Sequence, residues 1–200
     1  MTATRGRPRS PETRAAIIAA TAELLAERSF DDVSVDAIAA RAGAGKQTIY
    51  RLWGSKASLV ADAVSLGAIP LPPITLPDTG NLGADIRSYF RSTMPLIANP
   101  KFHSLVRALL VEQATVGGAD SAPAAVTVAP VVAGWRRRFQ AAKDSGEIPA
   151  DADTEAAIDL IIAATTLAHL GTVTPDWQRV DAWARVILAG VQAGSAPARA

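Results

Sequence analysis

Between Ala42 and Leu59 the chain reads AGAGKQTIYRLWGSKASL. The glycines followed by Lys46 and Thr48 look at first like a loop folded around the phosphates of a nucleotide. Such a loop requires Gly, four residues, then Gly-Lys followed directly by Ser or Thr, at the turn between a strand and a helix. Here the early glycine position is Ala40 and the residue after Lys46 is Gln47. The segment also follows a helical pattern in a chain with no strand alternation, so the nucleotide reading fails. A helix-turn-helix accounts for the same residues. Gly43 suits the left-handed conformation that ends a helix, and Gly43-Ala44-Gly45 makes a short turn. The next helix, about Lys46 to Trp53, places Ile49, Leu52 and Trp53 on an inner face. Its N-terminal end then presents Lys46, Gln47, Thr48, Tyr50 and Arg51, all able to hydrogen-bond. A donor-rich helix start on a small helical support is what reading the DNA major groove needs.

The flanking segments supply that support. Ser10-Pro11-Glu12 announces a first helix: serine caps, proline suits the first position, and the acid complements the helix dipole. Ile17, Thr21, Leu24, Leu25 and Arg28 follow at helical spacing as far as Ser29-Phe30. A second helix starts after Ser34, with Val35, Ile38, Ala39 and Ala42 on one face. Ser55 caps a fourth that buries Leu59, Val60, Ala63 and Val64. The stretch GAIPLPPITLPDTGNLG, residues 67–83, carries four prolines and cannot continue a helix. Helical periodicity then returns with Ile86, Tyr89, Phe90 and Ile97, where Pro95 bends or ends the helix. Phe102, Leu105, Val106, Leu109 and Leu110 mark another. A small-residue loop near Gly117-Gly118 precedes Val131, Val132, Trp135 and Phe139. Asp153 caps a helix with Ile158, Ile161, Ile162 and Thr165, and Pro175 opens the last, striped by Val180, Trp183, Ala184, Ile187 and Val191. The expectation is an all-helical fold of about nine helices. Its parts are a basic arm over 1–9, a helix-turn-helix module over 10–66, a linker over 67–83 and a second helical domain over 84–195.

Composition narrows the chemistry. The 200 residues include no cysteine, which excludes disulfides, zinc-thiolate sites and thiol redox sensing. Two histidines, His103 and His169, make a metal site a poor idea, and His169 reads as a packed, hydrogen-bonded side chain. The N-terminus lacks a signal-peptide core, and the run LIIAATTLAHLGTV is shorter than the ~18 residues of a membrane span. The reading is a soluble, cytoplasmic protein with no cofactor. The net charge of +1 conceals an asymmetry: residues 1–60 hold nine Lys/Arg against six Asp/Glu, and the excess precedes Glu23. Arg5, Arg7 and Arg9, interleaved with Gly6 and Pro8, form an arm for the minor groove or a solvated tail that adds salt-sensitive affinity. Asp36, in the first turn of the second helix, favours the helix dipole; the other reading is an acceptor for cytosine. Arg136-Arg137-Arg138 reads as a solvated face.

The run from Ser10 to Leu66 is similar to the DNA-binding domain of the TetR family of transcriptional regulators. The resemblance rests on VDAIAARAG, then K-x-T-I-Y-R-x-W, then G-S-K-x-x-L, and covers the first third of the chain. The later helices match only in number, length and order. It implies no enzyme but a homodimer that represses transcription from a near-palindromic DNA operator and is released by a small molecule. A DNA-binding activator or packaging protein with no releasing ligand is the alternative. It implies that Tyr50 lies against DNA and that Lys56, with Ser55, holds a phosphate oxygen. Ser34 and Gly45 join the DNA-facing set, although Gly45 stands where the family often has a capping serine. An effector cavity would fall among the middle helices, with Tyr89, Phe90, His103, Arg107, Gln113 and Trp135 as candidates. The last two helices, with Gly171 and Gly190 for close backbone approach, would build the dimer interface, and Trp183 and Ile187 would anchor it.

Overall fold

The computed structural model describes residues 10–72, 74, 76–116, 121–171 and 176–193. Among them are nine α-helices and no strand: α1 (Ser10–Glu27), α2 (Val35–Ala42), α3 (Lys46–Trp53), α4 (Lys56–Ser65), α5 (Leu82–Ala98), α6 (Pro100–Val116), α7 (Ala122–Asp144), α8 (Thr154–His169) and α9 (Trp177–Gln192). The arginine arm, the Gly117-Gly118 loop and Pro175 lie outside the described residues. Backbone proximity divides the chain into two compact units, one ending at Leu71 but including Ala108–Val126, the other Pro72–Arg107 with the chain from Thr127.

The first unit is a small support for α3. α1 packs on α2 and α4, and α3 on both α2 and α4. Ile17, Leu24, Val33, Ile38, Ile49, Leu59 and Val60 make its core. On α1 the apolar stripe ends earlier than its spacing suggests: Thr21 is buried with its hydroxyl donating to Ile17 O at 2.7 Å, whereas Arg28 is exposed beyond the helix. Two serines cap as expected. Ser34 Oγ accepts from Ala37 N at 3.1 Å, and Ser55 Oγ accepts from Ser58 N at 3.0 Å.

In the second unit α5 packs on α8 and α9, and α8 on α9. Side-chain caps open three of these helices, from Asn81, Asp153 and Asp176. Pro95 sits in the last turn of α5, which ends at Ala98, so it terminates more than it bends. The core joins Ile86, Tyr89, Phe90, Trp135, Phe139, Ile158, Ile161, Val180 and Ile187. Tyr89 and Trp135 meet edge to face with ring centroids 5.3 Å apart, and Phe139 lies 5.6 Å from Trp135.

The arginine run 136–138 departs from its reading. Arg136 and Arg137 are exposed, but Arg138 is buried at 3%. Three residues from Trp135 and one from Phe139, it shares their inward side of α7. Its Nε reaches Asp85 Oδ2 at 2.6 Å, and its Nη2 reaches Glu147 at 2.9 Å. Asp85 is itself fully buried and also accepts from Thr79 Oγ1 at 2.7 Å, while Glu147 accepts from Leu82 N at 2.7 Å. One guanidinium thus ties the C-terminal half of α7 to the start of α5. His169 is packed against Phe102 and His103, as expected of a core histidine. Its Nδ1, however, is buried without a hydrogen-bond partner.

Candidate nucleic-acid interface

The turn before α3 is fixed by backbone chemistry. Gly43 adopts φ 61° and ψ 30°, left-handed, where a side chain would be strained. Its N–H donates to Ala40 O at 3.3 Å and the Ala44 N–H to Ala39 O at 2.9 Å, which satisfies carbonyls left over at the end of α2. Gly45 then enters α3 in an extended conformation without a side-chain cap.

Within α3 the helical period separates two faces. Ile49 is fully buried and Leu52 and Trp53 half-buried, with Trp53 Nε1 donating to Asp62 at 2.8 Å. Asp62 also pairs with Arg14 on α1. On the other side Lys46, Gln47 and Arg51 are exposed and Tyr50 is 45% exposed. Thr48 is half-buried, Gly45 exposed, and Ser34 exposed while its hydroxyl caps α2.

The cations beside this face are mostly engaged. Lys46 Nζ lies 2.8 Å from Asp36 Oδ2, and this hydrogen bond, then the carboxylate charge, holds the ammonium above the usual lysine range. Arg41 pairs with Glu23 and with Glu27, both at 3.2 Å, and so fastens α2 to α1. Lys56 departs from its expected role. Its Nζ donates to Phe30 O at 2.7 Å and Val33 O at 2.6 Å and stands 3.9 Å above the Phe30 ring. Burial lowers its pKa. Two of its three protons are spent on carbonyls of the connection between α1 and α2, where Phe30 O also accepts from the Val33 N–H at 3.4 Å. Ser55 is likewise not free for a phosphate, since its hydroxyl donates to Glu112, which also accepts from Ser58 Oγ at 3.1 Å. No local signal points to Glu112: it lies 57 residues from Ser55 in sequence.

The other candidates scatter. Tyr89, Phe90 and Trp135 are core side chains, 1%, 2% and 0% exposed. His103 is half-buried, with Nε2 at 2.7 Å from His169 O, and Arg107 is exposed. Gln113 counts with the first unit and the other five with the second. Ile187 is 3% exposed and belongs to the core of the second unit instead of its surface, and the half-buried Trp183 packs on that core 5.3 Å from Phe90. Gly171 ends α8 in a left-handed conformation, outside the helix, and only Gly190 lies in open space on a helix. The apolar residues of α8 and α9 that do face outward are Leu160, Leu167, Trp177 and Val186. Among the described residues no cluster of three His, Asp or Glu could hold a metal, and no helix is long and apolar enough to cross a membrane.

A family model for bacterial regulatory proteins of the tetR family matches residues 17–63, and one for a tetracyclin repressor-like C-terminal domain matches residues 76–187. This chain belongs to the TetR family. It is 44% identical over 86 residues to the HTH-type transcriptional regulator YdeS of Bacillus subtilis, covering 43% of this chain and 42% of that protein's length. It is 26% identical over 180 residues to the transcriptional regulator AqdR of Rhodococcus erythropolis, covering 86% and 82%. The fold matches the crystal structure of the TetR family transcription regulator SCO0332 with a TM-score of 0.63 and 25% identity, over 90% of this chain and 98% of that one. TetR-family proteins are regulators of transcription and not enzymes, so the GAGKQT segment is the turn and start of a helix-turn-helix and not a nucleotide loop.

Proposed function

We propose that this TetR-family protein is a dimeric, ligand-responsive repressor that reads a near-palindromic DNA operator with the exposed side of α3. The observation that carries this reading is the division of α3: Ile49 wholly buried, and Lys46, Gln47, Tyr50 and Arg51 outward from a helix start. Gln47 can pair with adenine, and Lys46 or Arg51 can donate to guanine. Thr48, Ser34 and Gly45 flank that contact, and Tyr50 lies along the groove. Lys56 enters chiefly as the clamp that sets the entry to α2. The arginines of the N-terminal arm, Arg5, Arg7 and Arg9, add phosphate or minor-groove contacts.

The exposed side chains of Leu160 and Val186 support a second copy packed on α8 and α9, since apolar side chains left in water gain by mutual burial. Two copies of α3 would then address half-sites about one DNA turn apart, ~34–36 Å or a multiple. A small molecule bound in the C-terminal domain would release the operator by favouring a different spacing, to the extent that it binds that state more tightly. Repression is supported by 38% identity over 76 residues to a protein named DNA-binding transcriptional repressor TetR, from Mycobacteroides abscessus, which covers 38% of this chain. Selection of duplexes from a random pool by the purified full chain tests the reading. Enrichment of two inverted half-sites is expected; no enrichment, or a single half-site bound by a monomer, contradicts it.

A further inference from the structure

The charge on the DNA-facing module is arranged in an unusual way. Residues 34–65 contain four cations, Arg41, Lys46, Arg51 and Lys56. Arg41 is held by Glu23 and Glu27, Lys46 by Asp36, and Lys56 by two backbone carbonyls. Among the described residues, Arg51 alone of these four is without a hydrogen-bond or ion-pair partner for its charged group. Phosphate attraction is the sequence-independent part of DNA binding. A recognition surface with its lysine already paired has given up part of that attraction.

Asp36 is the group responsible at the reading edge. Its side chain is 70% exposed, and that of Lys46 48% exposed, so the pair stands in solvent beside Gln47 and not in the core. The α2 N-terminus is already capped by Ser34, so Asp36 is not needed to satisfy its free N–H groups. Lys46 gains nothing locally from the first position of α3, where the helix dipole opposes a cation.

We propose that Asp36 is a specificity-determining residue: by pairing with Lys46 it withholds that lysine from phosphates and penalises DNA of arbitrary sequence. This rests on the DNA-reading role of α3 given above. On arbitrary DNA the lysine must leave a carboxylate 2.8 Å away for a phosphate that repels Asp36. On the chosen sequence, base edges offer both partners of the pair something: an acceptor on guanine for Lys46 and the amino group of cytosine for Asp36. The carboxylate therefore costs little at the operator and much elsewhere.

The test is binding of the full-length D36N variant to an arbitrary duplex and to a duplex selected by the wild type, followed by fluorescence anisotropy between 50 and 200 mM salt. Freeing one lysine for a phosphate steepens the salt dependence by about 0.9 per subunit and raises affinity about eightfold per subunit at ~0.1 M salt. The gain should appear on the arbitrary duplex and not on the selected one, so that their ratio falls. D36S, which keeps a short polar side chain in the exposed first turn, should behave alike and guards against a fold defect peculiar to one variant. Unchanged or weaker binding of arbitrary DNA by both variants, or an equal gain on both duplexes, overturns the proposal. Y50A measured in parallel separates the two levels. If Y50A still binds the selected duplex, the DNA-reading role of α3 is wrong. If Y50A loses it while D36N changes nothing, only the role of Asp36 is wrong.

Discussion

Replacing Arg138 by methionine should be among the most damaging single changes to the second unit. The guanidinium is 2% exposed in its side chain and bonded to Asp85 and Glu147, with Asp78 at 3.2 Å as an exposed third partner. Methionine fills much of the volume but leaves Asp85, fully buried, with only the Thr79 N–H and hydroxyl as donors. Glu147 keeps the Leu82 N–H and lies nearer solvent, so most of the cost falls on Asp85. Breaking a buried pair by removing one partner costs ~3–5 kcal/mol. The two Thr79 donors soften this, so the lower half of that range applies. At ~2–4 °C per kcal/mol for a chain of this size, the melting temperature should fall by roughly 6–16 °C. Thermal unfolding followed by circular dichroism, at fixed protein concentration because association would shift the midpoint, measures it. The companion double variant R138M/D85L, which removes the stranded carboxylate as well, should recover a large part of the loss. A melting temperature for R138M within ~2 °C of wild type would refute the burial argument, as would a double variant whose loss relative to wild type equals the sum of the R138M and D85L losses.

Lys56→Met removes a donor from Phe30 O and Val33 O in a half-buried setting. With part of the carbonyl surface open to water, a loss of about 1–3 kcal/mol is expected in urea unfolding; unchanged stability would return Lys56 to a phosphate role. His169 sets a pH dependence. Burial, then the neighbouring His103, pushes its pKa down to about 4 from 6.5. The unfolded chain takes up this proton first, so the native state is fully favoured above pH ~6.5 and loses at most about 3 kcal/mol as pH falls toward 4. H169F should flatten that limb of the stability curve, and an unchanged slope would contradict the assignment. Leu160→Glu combined with Val186→Glu should convert the proposed dimer to monomer in sedimentation without loss of helicity; a persistent dimer would move the interface elsewhere.

The helix-turn-helix was legible because its signals are local. Gly43, Ser34 and Ser55 act on backbone groups within five residues of themselves, so type and spacing suffice to place α2, α3 and α4. Tyr50 could be read as outward because Ile49 and Trp53 claim the inner side of a short helix. The partners of charged groups were not legible. Lys56 meets carbonyls 26 and 23 residues earlier, and Arg138 meets a carboxylate 53 residues away. Residue type says that a cation wants an acceptor, but only the packing of distant helices decides whether water or protein supplies it. The same limit applies to α9, where Ile187 and Val186 are adjacent and equally apolar, yet one is 3% and the other 66% exposed. A stripe names a face; it does not say whether that face meets its own core or another molecule.

What the outward side of α3 touches decides whether this protein reads DNA as proposed. Tyr50 is exposed, so Y50A should keep the fold, and its effect on binding reports contact and not stability. With ~1–3 kcal/mol lost per contact and two copies in the complex, affinity for a duplex selected by the wild type should drop at least about thirtyfold. Binding by Y50A within about twofold of the wild type, with melting unchanged, would mean that this helix does not read DNA.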